Sequence, residues 1–365
     1  MRIKKIAGIF VIALTIFTGT GALIVATLPW IPGDRFWFLH LFGLLFPYII
    51  LFLFLVLIYW AFRKSKWAWF CLVVLLLSGQ QILYMTGFHF KRIAPDKPQA
   101  ALRVLSWNVS RWDEKNKEKR GGESYRRLML DFIEEQDADV LCFQEYFECS
   151  DPRYYEATIP ALQKMGYSYY HFFPSTILFN GSFRYGLAIF SRTPILEAKS
   201  YPAGMRIHSE GVCYADISHK GQRFRVFNSH FESPGFTLAN YDASGNLKKG
   251  SGLVDKISTA YAVRHAQIRE AGAYIKNSPW PVLLCTDLGD IPNSNAYSQV
   301  RALGLKDAYL DKNLGVGATY RFLSPTLRID YTFCSSNIKI VNLRVPHIKY
   351  SDHYPLITDI NTDLK

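Results

Sequence analysis

The sequence predicts an α/β (α+β) fold in which two β-sheets pack together with helices outside, preceded by an N-terminal bundle of about three transmembrane helices. Three observations support this prediction. Long apolar stretches are confined to the first 90 residues. Beyond residue 100, short runs rich in Val, Ile, Phe and Tyr are bounded by Gly, Pro and Asn, which is typical of strands. Helical periodicity appears in only a few segments between these runs.

Each of the three apolar stretches is long enough to cross a hydrocarbon core of about 30 Å. They lie at residues 7–28, 36–62 and 67–88. The third is the weakest, because Ser78-Gly79-Gln80-Gln81 interrupts it and Lys91-Arg92 follows it. A short Pro-containing linker comes next. We therefore divide the chain into a transmembrane region at 1–94, a linker at 95–100 and a soluble domain at 101–365.

The formal charge of +12 belongs mainly to the flanks of the apolar stretches. Residues 1–100 hold ten of the 42 Lys/Arg and two of the 30 Asp/Glu, a net charge of +8, which leaves +4 for the remaining residues. A weakly basic soluble domain is a poor candidate for a DNA-binding protein, because such binding needs a concentrated basic patch.

The basic flanks also predict orientation. The N-terminus and the turn at 63–66 carry six Lys/Arg between them, so both are expected on the cytoplasmic side. Three spans then put the soluble domain on the exoplasmic (periplasmic) side of the cell (inner) membrane. Cleavage of the first stretch as a signal peptide would leave two spans and the same side. If the third stretch is a re-entrant or interfacial helix, the domain is instead cytoplasmic.

The soluble domain alternates strand-like runs with fewer helical segments. Strands are predicted at 102–109, 140–145, 167–173, 185–191, 212–218, 223–231, 281–286 and 328–334. Helices are predicted at 123–136, 257–276 and 294–303. The segment at 233–256 is rich in Gly and Asn, and its length is typical of a binding loop or a disordered connection.

Polar residues recur where these apolar runs end. A carboxylate at one strand end is commonly a turn former, and a lone histidine is commonly structural. Six such segments, with eight polar residues, in one domain are a stronger signal. They are Asn108 in "VLSWNVS", Glu145 in "DVLCFQEYF", Asn228 and His230 in "FRVFNSHFES", Asp287 in "VLLCTDLGD", Asp330 in "RIDYTF", and Asp352 and His353 in "YSDHYPL".

These residue types suit metal-assisted phosphate hydrolysis. Carboxylate and amide oxygens are hard ligands that suit Mg²⁺, which retains several waters and binds substrate phosphate. A carboxylate can orient or deprotonate the attacking water. Histidines can stabilise the phosphorus centre or protonate the leaving oxygen.

The order and local sequence of these residues resemble the endonuclease/exonuclease/phosphatase superfamily. The resemblance covers roughly residues 101–361, and its short motifs Q-E, N-x-H, R-I-D-Y and S-D-H-Y-P-L are jointly specific. The superfamily includes pancreatic-type deoxyribonucleases, abasic-site endonucleases, neutral sphingomyelinases and inositol polyphosphate 5-phosphatases. The resemblance implies a four-layered sandwich, two sheets flanked by helices, with the site at one end.

The resemblance also implies roles for the individual residues. Glu145 is expected to be the principal Mg²⁺ ligand, assisted by Asn108 and Asp352, with Mn²⁺ as a possible substitute. His353 is expected to contact the scissile phosphate and to be oriented by Asp330.

By the same resemblance, Asp287 is expected to position and activate water, and Asn228 and His230 to hold phosphate oxygens. His230 is also a candidate to protonate the leaving group. Its presence separates the chain from abasic-site endonucleases and favours the deoxyribonuclease, sphingomyelinase and phosphoinositide branches. Tyr185, in "RYGLAIFSR", either reaches the phosphate or is a core tyrosine.

One position departs from the family pattern. The family reads Gly-Asp-Phe/Leu-Asn where this chain has Thr286-Asp287-Leu288-Gly289, so the aspartate is kept and the asparagine is missing. Loss of one preorganised donor typically costs about 10²–10³ in rate. Asp290, Asn293 or a water are alternatives for the missing amide. Because the other polar positions are present, we expect an active or slow enzyme in preference to an inactive one.

The sequence leaves three functions open. The first is a membrane-tethered, Mg²⁺-dependent phosphoesterase acting on a lipid headgroup or another envelope phosphoester. For this function the aromatic segment 166–186 is relevant, because it either touches the membrane interface or forms two strands with core aromatics. The second is a nuclease acting on DNA or RNA, although the local basic cluster in "RWDEKNKEKRGGE" alternates with acids. The third is a binding scaffold whose chemistry was lost at Gly289. No protein partner can be inferred.

Overall fold

The computed structural model describes residues 2–90, 96–202, 211–233, 252–322 and 324–361. The chain forms two compact units. The first comprises Met1–Thr86, Pro234–His265 and Ile291–Ser298, and the second comprises Gly87–Ser233, Ala266–Asp290 and Gln299–Lys365. Most of the predicted loop at 233–256, residue 95 of the predicted linker, Lys91-Arg92 and the last four residues lie outside the described residues.

The first unit contains four N-terminal helices. They are α1 Arg2–Thr27, α2 Gly33–Phe62, α3 Trp67–Leu77 and α4 Gly79–Met85. Two apolar helices among the described residues are long enough to cross a membrane, over Gly8–Trp30 and Gly33–Phe62. α3 and α4 are bent by 56° at the break between them. They provide a third membrane span only if the two helices together count as one broken span. The polar residues that interrupt the third apolar stretch therefore coincide with a bend.

The N-terminal helices pack through a small apolar core and leave much of their apolar surface outside. Ala22, Leu53 and Cys71 are fully buried in that core. Inside it, the Trp60 indole N–H donates to Thr15 Oγ1 at 3.0 Å. The outward side chains remain apolar, and a contiguous apolar surface of this kind is typical of membrane contact.

From Gly87 onward the chain alternates strands with helices. In order they are β1 Gly87–Phe88, β2 Ala101–Asn108, α5 Arg126–Gln136, β3 Val140–Cys149, α6 Ile159–Lys164, β4 Tyr169–Leu178, β5 Phe183–Ser191, β6 Ile195–Tyr201, β7 Gly211–His219, β8 Gln222–His230, α7 Leu253–Lys276, β9 Val282–Asp287, α8 Asn295–Arg301, β10 Lys306–Asp307, α9 Ala308–Lys312, β11 Leu314–Gly315, β12 Asp330–Cys334, β13 Lys339–Arg344 and β14 Leu356–Asn361.

Two mixed six-stranded sheets form the second unit. Their strand orders are β10-β12-β9-β8-β7-β6 and β13-β14-β2-β3-β5-β4. Each sheet contains one parallel pair, β8 with β9 and β2 with β3, and the other pairings are antiparallel. This arrangement confirms the predicted pair of packed sheets flanked by helices.

Alternation along the central strands separates two cores. On β2, Leu102 and Val104 lie between the sheets with Val226 and Leu283 of the other sheet. The opposite face of β2 carries Leu105 and Trp107, which pack in the outer core with residues of α5 and α6. Because both faces are buried, β2 and β3 read as nearly continuous apolar runs.

The parallel pairs bring the predicted functional residues to one end of the sandwich. Asn108 is paired with Gln144, and His230 is paired with Asp287. β12 runs antiparallel and begins at Asp330, directly opposite Asp287. The carboxyl ends of β2, β8 and β9, the middle of β3 and the start of β12 therefore meet at one edge, where side chains from both sheets converge.

Several element boundaries differ from the sequence predictions. Six strands were not predicted. β1, β10 and β11 have only two residues each, and the longer β6, β13 and β14 lie at or near sheet edges and carry mixed polar and apolar residues. The predicted strand at 140–145 continues to Cys149, and the helix predicted from residue 123 begins at Arg126. Polar interruptions inside β3 and β14 obscure the local pattern, and tertiary packing decides their extent.

Candidate active site

Asp287 lies at the centre of the polar cluster. The Asn108 amide Nδ2 lies 2.9 Å from Asp287 Oδ2 and 3.3 Å from Glu145 Oε1. The same Asp287 oxygen lies 3.7 Å from His230 Nε2 and 3.7 Å from His353 Nδ1. Three residues that are up to 245 positions apart in the chain, Asn108, His230 and His353, thereby surround one carboxylate, and Asn108 connects it to Glu145.

The turn after β9 fixes the other oxygen of Asp287. The backbone N–H of Gly289 donates to Asp287 Oδ1 at 3.0 Å. Gly289 has φ +64°, a left-handed conformation that glycine adopts without steric cost and that asparagine tolerates better than most residues. The glycine therefore supplies a backbone donor to the aspartate, and its conformation would accommodate the asparagine of the family pattern.

His353 is held from both sides of the buried site. Its Nδ1 lies 3.0 Å from both carboxylate oxygens of Asp330, and its backbone carbonyl accepts from the Trp107 indole at 2.9 Å. Burial lowers the pKa of His353, but the carboxylates of Asp330 and Asp287 outweigh burial, so this pKa lies well above its ordinary value. The imidazolium form is therefore favoured, and a cation suits a phosphate-binding position.

Glu145 is directed into the site by a bulge in β3. Phe143 pairs with Ala188 and Tyr146 pairs with Gly186, so β3 carries one extra residue here. Glu145 itself has φ +47°. Bulges commonly re-aim a side chain beside an active site. The Glu145 side chain remains 27% exposed, which leaves it accessible to a ligand from solvent.

The segment after β2 is strained. Ser110, Arg111, Trp112 and Asp113 all have φ between +44° and +60°. Such conformations cost on the order of 1–3 kcal/mol for each non-glycine residue and persist only where the surroundings impose them. Buried Trp112 anchors the turn by donating to Phe147 O at 3.0 Å.

One consequence of the strained turn is that Arg111 points back toward the site. Its Nε lies 3.7 Å from Glu145 Oε2, and its guanidinium lies 5.0 Å from the Tyr185 ring centroid. Tyr185 is half-buried and stacks on Phe147 at 4.8 Å. Tyr185 therefore packs against the core and lies beside the site, and its contact with the phosphate stays a prediction.

Asp352 lies beside the same cluster through backbone and hydroxyl contacts. Ser351 Oγ lies 2.8 Å from the Asn108 carbonyl oxygen and 3.2 Å from Asp352 Oδ1. Burial raises the pKa of Asp352, but His353, Lys115 and a hydrogen bond from Ser110 lower it by more than burial raises it. The pKa of Asp352 is therefore below its ordinary value. The carboxylate form of Asp352 is therefore favoured.

The side-chain amide of Asn228 makes all of its observed hydrogen bonds with other protein groups. It is completely buried, its Nδ2 donates to Phe143 O at 2.8 Å and Ala188 O at 3.1 Å, and its Oδ1 accepts from Gln144 at 2.7 Å. Both amide donors thus join one sheet to the other beneath the site. A direct bond from Asn228 to phosphate remains a prediction, and it would require one of these two donors to be released.

Tyr320 was missed from the sequence. Its ring lies 5.0 Å from the His353 ring in an edge-to-face arrangement, and the two residues form an isolated β-bridge. Burial, followed by repulsion from Asp352, Asp287, Glu145 and Asp330, raises the pKa of Tyr320 to about 12. Its hydroxyl therefore stays protonated. No local pattern identifies it, because it lies in a loop with no neighbouring strand signal.

The donor set fits a divalent cation. Asp287, Asp330 and His353 form a group whose ligand atoms lie within 4.8 Å of one another among the described residues. The His353–Asp330 contact is already accounted for by a hydrogen bond, whereas Glu145 and Asp352 add further carboxylates nearby. Asn108 presents its nitrogen to the carboxylates and its Oδ1 to the Ser110 N–H, so the amide would have to rotate to act as a ligand.

Comparisons with known proteins bear on this arrangement. Residues 105–353 match the model of the endonuclease/exonuclease/phosphatase family, and residues 7–84 match a domain of unknown function, DUF8431. No curated protein matched the chain.

Solved structures with low sequence identity share the fold. A family protein from Bacteroides thetaiotaomicron has 18% identity and a TM-score of 0.51, covering 72% of this chain and 98% of that one. A family protein from Beutenbergia cavernae has 18% identity and a TM-score of 0.50, covering 72% of each chain. The human Nocturnin catalytic domain, with a bound sulfate anion, has 18% identity and a TM-score of 0.50, covering 74% and 98%. With the family model spanning most of the chain, this protein belongs to the endonuclease/exonuclease/phosphatase family.

Proposed function

We propose that this protein is a membrane-tethered, Mg²⁺-dependent phosphoesterase that cleaves a phosphodiester or phosphomonoester bond, with a lipid headgroup as its substrate. The observation that carries the proposal is the convergence on Asp287 Oδ2, which is 2.9 Å from Asn108 and 3.7 Å from each of two histidines. A carboxylate held between an amide donor and two histidines at a strand end is suited to position water for in-line attack.

In this proposal each side chain has a role that follows from its contacts. Asp287, oriented by the Gly289 N–H and the Asn108 amide, positions the attacking water and accepts its proton. His353, held by Asp330 in its cationic form, stabilises charge on the phosphoryl oxygens. His230 donates a proton to the leaving oxygen.

Glu145 is the proposed principal metal ligand, with Asp352 and a rotated Asn108 as further ligands. When bound, Mg²⁺ would polarise a phosphoryl oxygen and neutralise developing negative charge. Mn²⁺ is expected to substitute for it, because it also prefers oxygen ligands. Partial exposure of Glu145 supports its role, since a metal that retains water must be reached from solvent.

Gly289 supports a slower enzyme in preference to an inactive scaffold. The family asparagine is missing, which removes one side-chain donor worth about 10²–10³ in rate. The same glycine nevertheless keeps Asp287 oriented through its backbone N–H. The proposed water-activating group is therefore intact, although one donor to the phosphate is lost.

Two features support a lipid substrate over nucleic acid. Two apolar helices could tether the chain to a membrane, and the tip of the β4–β5 hairpin exposes Ile177, Leu178 and Phe179 to solvent. The basic residues after β2 are interspersed with acids, and Arg120 is already paired with Asp113 at 2.7 Å. We therefore keep nucleic acid as the alternative substrate and test for it directly.

The proposed location is the cell (inner) membrane, with the catalytic domain on the exoplasmic, periplasmic side. Six Lys/Arg flanking the first two apolar stretches support it. Reporter fusions to the C-terminus test this location. An active alkaline phosphatase fusion together with a non-fluorescent fluorescent-protein fusion would support the exoplasmic side. The reverse pattern would move the domain to the cytoplasm and make the bent α3–α4 pair a re-entrant segment.

The proposed function is tested with the full chain, purified in detergent and reconstituted in nanodiscs. Hydrolysis of bis(p-nitrophenyl) phosphate is measured with Mg²⁺, with Mn²⁺ and with chelator, followed by a phospholipid panel and single-stranded and duplex DNA. Metal-dependent turnover with preference for a lipid is expected. Preference for DNA with a steep salt dependence would favour the nuclease. Absence of turnover from folded protein on every substrate would favour the binding scaffold.

A further inference from the structure

The chain that follows Asp287 belongs to the first unit. Ile291–Ser298 groups with the N-terminal helices, whereas Asp287 through Asp290 groups with the sheets. Ile291 is only four residues beyond Asp287 and two beyond Gly289, a span of at most about 14 Å even when fully extended. Ile291 is therefore joined to the candidate water-activating carboxylate by a very short piece of chain.

Within the first unit, α2 and this segment meet at Gly43. A Cβ added at Gly43 would lie 2.6 Å from Ile291 Cδ1 and 3.1 Å from Asn293 Oδ1. The first distance is shorter than real carbon contacts allow, so an added Cβ would require the buried Ile291 side chain to shift. The Asn293 amide, moreover, donates to the Gly43 carbonyl at 3.3 Å.

Further contacts hold the same segment. The Asn295 side chain donates to the Pro29 carbonyl at 2.6 Å, and the Tyr297 ring lies 5.5 Å from the Tyr84 ring. Ile291, Asn293 and Tyr297 are all buried. Apolar packing and two side-chain to backbone hydrogen bonds therefore attach the segment to the N-terminal helices.

The other side of the loop is attached to the sheets. The Tyr331 hydroxyl lies 2.9 Å from the Asp290 carbonyl oxygen and 2.7 Å from the Arg328 carbonyl oxygen, so its one proton is shared between them. Tyr331 is itself in β12, next to Asp330. The loop from Asp287 to Asn293 is thus held at Asp290 within the second unit and at Ile291 and Asn293 within the first.

The length of α2 is consistent with such a contact. Its 30 residues extend about 45 Å, about 15 Å more than a hydrocarbon core requires. Gly43 is the eleventh residue of the helix, so it lies near the boundary of the excess length when that excess is at the N-terminal end. A residue at this depth can contact a polar segment such as the one containing Asn293 without requiring that segment to enter the hydrocarbon.

We propose that α2 positions the candidate active site through Gly43, with Ile291 and Asn293 as positioning residues for the loop that carries Asp287. The catalytic consequence rests on the proposed phosphoesterase function, whereas the contact itself does not. The N-terminal helices are then part of the structure that orders the site as well as an anchor.

The test compares two Gly→Ala variants of the full chain in detergent. Gly43→Ala introduces the clash with Ile291, whereas a Cβ at Gly79 meets nothing within 4 Å and makes Gly79→Ala the matched control. Ile291→Val removes Cδ1, the atom nearest the added Cβ, and is made alone and combined with Gly43→Ala. The first readout is amide hydrogen exchange of residues 287–298, and the second is kcat and KM for bis(p-nitrophenyl) phosphate.

We expect Gly43→Ala to increase exchange in 287–298 and to lower kcat by about 10²-fold with little change in KM, because a displacement of about 1 Å can cost that much. Gly79→Ala leaves both unchanged, and Ile291→Val restores both in the Gly43→Ala background. Unchanged exchange in Gly43→Ala, or an equal increase in Gly79→Ala, overturns the proposal. So does unchanged kcat when the parent enzyme is active. If Gly43→Ala increases exchange but the parent protein shows no turnover, the contact with α2 is supported and the proposed phosphoesterase function is rejected.

Discussion

His353 Nδ1 lies 3.0 Å from both carboxylate oxygens of Asp330, a residue 23 positions earlier on the other sheet. Asp330 is opposite Asp287 in the strand register, so the imidazole lies between two buried carboxylates. The pair fixes the ring orientation through Nδ1. The His353–Asp330 contact therefore joins the two sheets at the candidate site.

Asp330→Asn is expected to reduce kcat by about 10²-fold or more while changing KM little, because it removes the carboxylate that orients and charges His353. The side chain is nearly isosteric, so folding should be retained. Steady-state kinetics with Mg²⁺ measure the effect. Asp311→Asn is the control, since Asp311 is partly exposed and pairs with neighbouring Lys312 at 3.1 Å. Equal losses in both variants would contradict a specific role for Asp330.

Glu145→Gln is expected to increase the Mg²⁺ concentration required for half-maximal activity by at least about tenfold, because it removes a charged oxygen ligand. Activity is measured over a metal titration, alongside isothermal titration of Mn²⁺ binding. Glu156→Gln serves as the control, since the Glu156 side chain is 82% exposed and forms an ion pair with Arg126. An unaltered metal requirement in Glu145→Gln would exclude this residue as the principal ligand.

Gly289→Asn is expected to increase kcat, by up to about 10²–10³-fold, because it restores the donor of the family pattern. The left-handed φ of +64° tolerates asparagine, so thermal stability should change little. Gly289→Ala is the matched comparison: it lacks the donor and is expected to lose about 1–2 kcal/mol of unfolding free energy. A lower rate in Gly289→Asn would mean that the glycine itself belongs to the site.

The β4–β5 hairpin tip is expected to contact the bilayer surface. Phe179 is 69% exposed at the tip, which extends β5 beyond Tyr185 at the end of the sandwich that carries the site. A fluorophore at Phe179→Cys should be quenched by lipids with shallow spin labels in nanodiscs. Leu196→Cys is the control, because Leu196 is 54% exposed at the opposite end of the sheets. Equal quenching at both positions, or at neither, would argue against a membrane-facing tip.

The strand ends were predictable because their signal is local. An apolar run followed by a polar residue identified Asn108, Glu145 and Asp287, and the structure gathers these residues around one carboxylate. The order of motifs predicted the family and the paired sheets. The identification of Asp330 as the partner of His353 came from the resemblance, and the observed hydrogen bond agrees with it.

Residues whose contribution depends on distant contacts were not predictable. Tyr320 reaches His353 from a loop with no strand signal, and Arg111 reaches Glu145 only because four successive residues adopt left-handed conformations. The amide of Asn228 is used to join the sheets, which no strand-end pattern reveals. The polar positions are visible in the sequence, but the partners that consume their hydrogen-bonding capacity are not.

By itself, the sequence determined the apolar N-terminal helices, the alternating strands and the polar residues at their ends, because each depends on side chains that are neighbours in the chain. Tertiary structure alone decided that β3 bulges at Glu145 and that Ile291–Ser298 packs against Gly43 within the unit of the N-terminal helices. Both depend on steric fit between segments far apart in sequence. Such fit is a property of shape, and hydrophobic periodicity does not encode it.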